Sequence, residues 1–309
     1  MASRAQQFTI LIAVVALGIL GAAIVGVAYF FEQVVKPETV ALQTIKQQQR
    51  APDSLPDPGA KEYEAAIEMI KAGEMVTARD RLAYLMRYYS ESAKFAEAKR
   101  VLGEINLDLL LSDVPSPGKI KYVVKSGDAG LAAIASRHKT TVDYIVRANG
   151  LSSNVIHPGD EYWLSTLIFV LEAKLSKREL IVYRVESPEL ASNEPATKAA
   201  EPAVVETFFK SYPILDANLP PTVKVPSAAD INDKPAWLPN GRRASFGTAG
   251  YHGAHRWLQT ARPGLVIQAA PQDPESASIE RKSGILLAPS DINELYTYIR
   301  TGTALRLAE

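Results

Sequence analysis

His252 and His255, three residues apart in Tyr251-His252-Gly253-Ala254-His255-Arg256, are the first side chains whose type and spacing suggest chemistry. On a helix that spacing puts two imidazoles on one face, where they could grip a divalent metal. Gly250 and Gly253 argue against a helix there, and no Asp, Glu or third His lies nearby in sequence, so no metal site is expected. Glu275 and Glu280 offer a carboxylate pair for acid–base work, but they stand in the charged run PQDPESASIERK, which reads as solvated surface. His138 and His157 read as surface or groove residues of a small unit at 119–165. The chain has no cysteine, which removes sulfur nucleophiles, thiolate metal sites and disulfides. Its 34 basic and 34 acidic side chains leave no net charge, hence no long-range field to gather nucleic acid. Neither a cofactor nor a nucleic-acid partner is expected.

The elements that must position any site begin with a membrane segment. Residues 8–31 read FTILIAVVALGILGAAIVGVAYFF without a charge, and a helix of roughly 20 such residues spans a bilayer core. The run is longer than a secretory signal's apolar region and ends in Tyr29-Phe30-Phe31, suited to the interfacial aromatic belt. An uncleaved single-pass anchor is expected, with residues 1–7 as a short cytoplasmic tail. Residues 32–59 end in APDSLPDPG and read as a tether.

Residues 60–112 carry three helical stripes: Tyr63, Ala66, Ile67 and Ile70; Ala78, Leu82 and Leu85; Phe95, Ala98, Leu102 and Ile105. The helix–Gly turn–helix order resembles one and a half tetratricopeptide repeats. The segment is either a packing unit or spacer, or a groove for a protein partner.

After Val114-Pro115-Ser116-Pro117-Gly118, residues 119–165 read strand, helix, helix, strand. The strings YVVKSGD, AIASRHKTTVDYIVRANGL and IHPGDEYWL closely resemble a LysM domain, a family that binds glycans containing N-acetylglucosamine, such as peptidoglycan. The resemblance implies a groove between two loops: Gly127, Asp128, Ala129 and Gly130 after the first strand, and Asn154, Val155, Ile156, His157 and Pro158 before the second. One departure stands out. The family's Gly-Asp-Thr-Leu is here Gly127-Asp128-Ala129-Gly130-Leu131, with an extra residue and no threonine.

From 166 to 309 the pattern is mostly strands, the clearest being 167–173, 179–184 and 204–212, with a polar, aperiodic stretch at 186–202. In order, LIVYRV, FFKSYPI, LPPTVKVPSAADINDKPAWLPNG, AHRWLQTARPGLVIQAA and SGILLAPSDINELYTYIRTGTALRL resemble the catalytic domain of L,D-transpeptidases, which cross-link peptidoglycan through an acyl-cysteine. Counted back from Asp291, the family's cysteine position is Gly284, its motif histidine Lys282 and its arginine Leu286. Its preceding His-Gly pair is Gln268-Ala269. Acyl transfer needs a nucleophile and a base within hydrogen-bond reach. Ser283 is the neighbouring hydroxyl, and Gln268 cannot accept its proton.

The fold expected is therefore multidomain: a transmembrane helix, an α-helical segment, a βααβ LysM domain and a mostly-β L,D-transpeptidase-like domain. The function expected is a membrane-anchored envelope protein, its C-terminal domains extracytoplasmic. It binds peptidoglycan through LysM and carries a pseudoenzyme domain as a binding module. Two alternatives remain: a remodelling enzyme with a non-cysteine nucleophile, and a scaffold that recruits a partner through its helical segment.

Overall fold

Asp57 opens the first helix, α1 (Pro58–Lys71), by accepting the Gly59 amide at 2.9 Å. Pro58 takes the first helical position, where a fixed φ suits the turn and a missing N–H costs nothing. The end of the expected tether, Pro58-Gly59, is thus helical instead. In this computed structural model the described residues are 56–186, 205–271 and 283–309, and all but Pro56 belong to one unit, Asp57–Glu309. The anchor expected at 8–31, most of the 186–202 stretch, both Glu275 and Glu280, and Lys282 lie outside the described residues. Among the described residues no helix is long and apolar enough to cross a membrane.

α2 (Met75–Tyr88) and α3 (Phe95–Leu111) complete the helical segment. The predicted stripes close on each other: Tyr63, Ala66, Ala78, Leu82, Leu85, Ala98, Leu102 and Ile105 form one core. α3 has a second allegiance. Its Leu107 and Leu110 belong to the main core, and its Asn106 side chain donates to the Phe209 carbonyl at 2.8 Å. The segment is therefore built into the protein's body.

The βααβ unit has the expected order: β1 (Lys119–Val123), α4 (Leu131–Arg137), α5 (Val142–Ala148) and β2 (Glu161–Ser165). β1 and β2 pair antiparallel with Tyr122 opposite Tyr162. Thr141 caps α5 by accepting the Tyr144 amide at 2.9 Å, the arrangement that satisfies an otherwise orphan donor.

The C-terminal part is a nine-stranded sheet. Its strands are β3 (Ile168–Lys174), β4 (Glu179–Glu186), β5 (Val205–Pro213), β6 (Asp216–Asn218), β7 (Ser227–Asp233), β11 (Leu258–Thr260), β12 (Val266–Ala269), β13 (Gly284–Leu287) and β14 (Ala304–Ala308). The order is β5-β4-β3-β14-β7-β11-β12-β13-β6. β5 and β6 stand at opposite ends of that order, yet only Ile214 and Leu215 separate them in the chain. Laid flat, nine strands would span roughly 38 Å, whereas three residue steps reach about 10 Å. The sheet must curl until its two ends meet, and the Leu215 amide donates to the Leu286 carbonyl at 2.8 Å.

A smaller three-stranded sheet, β8 (Ala236–Trp237), β9 (Arg243–Ala244) and β10 (His255–Arg256), stands beside it. α6 (Pro289–Tyr298) comes after β13 and packs against both β12 and α5. That last contact joins the βααβ unit to the C-terminal part. The Thr141 hydroxyl donates to the Thr297 carbonyl, and Tyr144 shares one core with Tyr296 and Tyr298.

Candidate binding cleft

Three of the positions that the resemblance matches to transpeptidase reactive groups, Gly284, Gln268 and Leu286, lie among the described residues, and all three are buried. Gly284 sits at φ +92°, and a Cβ there would lie 2.2 Å from the Val266 carbonyl oxygen. That is far inside contact distance, and the backbone conformation is one L side chains rarely adopt. Gln268 is fully buried, and its side-chain amide donates to the Ser283 carbonyl at 2.9 Å. Leu286 is 5% exposed and lies opposite Gln268 across the parallel β12–β13 pair. The described surroundings of Gly284, Gln268 and Leu286 are thus filled by Val266, Ser283 and one another.

The open space lies elsewhere, where the βααβ unit faces the C-terminal part. A cleft of about 720 Å³ is lined on one side by Ala129, Gly130, Leu131 and Asn154, and on the other by Lys234, Arg243, Phe246, Tyr251 and Tyr296. This falls within the ~300–1,000 Å³ typical of small-molecule sites. Its first wall is the pair of loops that sequence reasoning assigned to glycan. Gly127 (φ +96°) and Gly130 (φ +130°) make the turn that no side-chain-bearing residue makes easily.

The nine residues expected to touch sugar divide into groups. Ala129, Gly130 and Asn154 line the cleft. Gly127, Val155, His157 and Pro158 are exposed outside its lining. Ile156 is half-buried against the core. Asp128 does something different, because its side chain is only 3% exposed. It accepts the Tyr122 hydroxyl (2.7 Å), the Lys125 amide (2.9 Å) and the Arg137 guanidinium (2.7 Å). The Lys125 amide first, then Tyr122 and Arg137, hold its carboxyl down at about 2. Asp128 fixes the turn, leaving the backbone of its neighbours to face outward.

The second wall was not foreseen. Lys234 comes directly after β7, and its ammonium donates to the Tyr296 carbonyl at 2.6 Å while lying 4.3 Å from that ring's centre. The Tyr296 hydroxyl returns a bond to the Lys234 carbonyl at 2.6 Å. Burial lowers the Lys234 ammonium to about 8, as expected when a charge leaves water. Arg243 is held by both oxygens of Asp233 at 2.7 and 2.9 Å. Arg256 lies over the rings of Tyr251 and Tyr296 at 4.6 and 4.9 Å and meets Asp143 at 3.5 Å.

The Tyr251 hydroxyl donates to Asp143 at 2.6 Å, so a loop of the C-terminal part is tied to α5. Burial and the Asp143 charge push the Tyr251 phenol well up, and burial first pushes Tyr296 up to about 12. Both therefore remain neutral donors at physiological pH. The loop that carries Tyr251 closes over its own small core of Ala236, Ala244, Tyr251 and Ala254. Its Gly247 approaches Asn154 so closely that a Cβ would stand 2.7 Å from the Asn154 amide nitrogen.

The two histidines that drew notice in the sequence fall on a 3₁₀ turn (Tyr251–Gly253) and on β10. Among the described residues no three His, Cys, Asp or Glu side chains gather as metal ligands. In that hexapeptide Tyr251 lines the cleft and Arg256 lies over its ring, contacts that the sequence reading did not assign. Lys234 offered no signal, being a single lysine before a proline.

Residues 122–162 match the family model of the LysM domain. The first wall of the cleft is therefore part of a LysM domain. No curated protein matches the chain. Solved structures that do match include a fused Zn-dependent amidase/peptidase/peptidoglycan-binding domain-containing protein from Clostridium acetobutylicum (10% identity, 45% of this chain and 51% of that one, TM-score 0.28). An L,D-transpeptidase from Stackebrandtia nassauensis matches at 13% identity over 46% of this chain and 55% of that one, TM-score 0.27. L,D-transpeptidase 3 from Mycobacterium tuberculosis, with a faropenem-derived adduct, matches at 15% identity over 63% and 96%, TM-score 0.28. The chain spans about half the length of the first two.

Proposed function

We propose that this is a membrane-anchored envelope protein that binds peptidoglycan through its LysM domain, with the C-terminal β domain serving as a non-catalytic second wall of the binding site. The LysM match at 122–162 carries the reading, since Ala129, Gly130 and Asn154 of its two glycan loops open onto the cleft. A nearly neutral protein that presents turn backbone suits an uncharged, acetamido-rich polymer. The non-catalytic part is supported by Gly284, where a side chain would collide with the Val266 carbonyl, and by Gln268, which is already spent on the Ser283 carbonyl. The apolar run at 8–31 supports the anchor and an extracytoplasmic placement of the domains C-terminal to it. A protein partner at the helical segment is a second reading, favoured by the exposed Tyr84 and Tyr88, whose ring centres lie 4.6 Å apart on α2.

The full chain, kept in mild detergent, is mixed with purified insoluble peptidoglycan, sedimented, and the digested wall is then profiled. Co-sedimentation without new cross-links or cleavage products is expected. Protein left in the supernatant overturns the binding half, and any new muropeptide species overturns the non-catalytic half.

A further inference from the structure

The cleft has a charge that an uncharged sugar polymer does not need. Two cations, Lys234 and Arg243, line it, and among the described residues no carboxylate does. Immediately behind the wall stand Arg256, Asp143 and Asp233. Arg243 faces Asp233, its Nη2 donating to both carboxylate oxygens, and Arg256 faces Asp143. Lys234 is left over: among the described residues no carboxylate forms an ion pair with it, the Asp143 charge that acts on it being already shared by Arg256 and Tyr251, and one of its three N–H groups is used on the Tyr296 carbonyl. An ammonium withdrawn from water without an anion is costly. A methionine or leucine could pack on Tyr296 at lower cost, so the charge calls for a partner outside the chain.

The ligand's charge can be deduced from the same accounting. One ammonium without an ion pair, beside two arginines that each already face a carboxylate, matches a single monovalent anion better than a dianionic phosphate. We propose that Lys234 is the anion-recognising residue of a composite cleft. Its ligand is an N-acetylated amino sugar bearing a carboxylate, as on a peptide-substituted wall glycan, with the sugar against Gly130 and Asn154 and the carboxylate at the Lys234 ammonium. This rests on the peptidoglycan-binding reading above and narrows it: bare, uncharged glycan fills half of the site.

Beside a control titration with the carboxylated peptide that lacks sugar, the test uses the full chain and calorimetric titration with three probes. These are an uncharged N-acetylglucosamine tetramer, a soluble disaccharide-peptide with free carboxylates, and the same disaccharide-peptide with its carboxylates amidated. The carboxylated probe is expected to bind about tenfold more tightly than either uncharged one. K234M should erase the difference and K234R should retain it. Equal affinities for all three in the unaltered protein overturn the inference, because a lysine that only clamps the Tyr296 carbonyl predicts equality. They leave the peptidoglycan reading standing. Failure of all three probes to bind, with no sedimentation on intact wall, overturns that reading itself. Should K234M fail to melt as a folded protein, the comparison of free with amidated probe decides alone. Tighter binding of a carboxylated peptide that lacks sugar than of the disaccharide-peptide would also overturn the composite site.

Discussion

The proposed lack of catalysis leans on a single glycine as much as on the missing sulfur. Gly284 is held at φ +92° with its would-be Cβ against the Val266 carbonyl, so restoring the family's cysteine adds strain before it adds chemistry. Gly284→Cys is expected to cost about 3 kcal/mol, a fall of roughly 10 °C in Tm, and to yield no acyl transfer. A variant as stable as its parent in calorimetry would mean that the backbone at 284 re-forms, and the enzymatic alternative would return. Lys234 gives the second prediction at this scale. Asp143 from α5, Arg256 from β10, Arg243 from β9, Tyr251 from its loop and Tyr296 from α6 surround it, and burial sets its ammonium near 8 against an ordinary 10.5. The unfolded chain therefore holds more protons between those values, so this group makes stability rise with pH across that window. Affinity for a carboxylated ligand should move the other way and weaken above about pH 8. Titrations at pH 7 and 9 on the parent and on Lys234→Arg check this, since an arginine stays charged and its affinity should hold.

Among the elements, α3 serves as a keel. It closes the helical core, covers β5 and reaches α5, where the Tyr144 hydroxyl donates to the Leu110 carbonyl at 3.1 Å. Its junction with the sheet is electrostatic. Lys210 of β5, with a side chain 7% exposed, meets Glu104 of α3 at 2.7 Å and Glu294 of α6 at 2.9 Å. Glu294 also accepts the Tyr212 hydroxyl at 2.6 Å. Burial first, then the neighbouring glutamates, raise Asp108, and burial first raises Asp291, so the surroundings are already overfilled with carboxylates. Lys210→Met should cost about 3 kcal/mol at neutral pH. Part of that should return on acidification towards pH 5, because the uncompensated carboxylates then take up protons. Melting curves at the two pH values measure it, and an equal loss at both would assign the lysine's role to packing.

Periodicity made most elements of this size legible. The 3.6-residue stripes of α1 to α3 are helical as expected, and β3 to β5, read from their β-branched and aromatic residues, fall within a residue or two of expectation. The strands from β6 to β13 are two to seven residues long, and the shortest carry no period to read. The cleft was invisible for a related reason. Its LysM wall is local in sequence, whereas its other wall assembles from Lys234, Arg243, Tyr251 and Tyr296, which lie far apart in the chain.

For the whole molecule, that packing means the LysM domain is no independent bead. The Thr141 hydroxyl on the Thr297 carbonyl, the Tyr251–Asp143 bond and the shared core around Tyr144 cross from one part to the other. The Leu107 and Leu110 side chains of α3 belong to that same core. Residues of the LysM sheet and of β3 and β14 should therefore open together, with amide exchange of Val124 and Ile145 reporting the same free energy as Leu171 and Leu305. Asp143→Ala removes the anchor of both Tyr251 and Arg256 and leaves a guanidinium uncompensated. It should cost about 2–4 kcal/mol and split the single unfolding transition, lowering protection in the LysM domain first. A double-mutant cycle with Tyr251→Phe should return a coupling of about 1 kcal/mol or more, whereas additive losses would assign Asp143 to Arg256 alone. Because the ligand cleft is the space between these same two parts, a bound wall fragment should restore the single transition in Asp143→Ala. Ligand that shifts only the LysM transition would mean that one wall does all the binding.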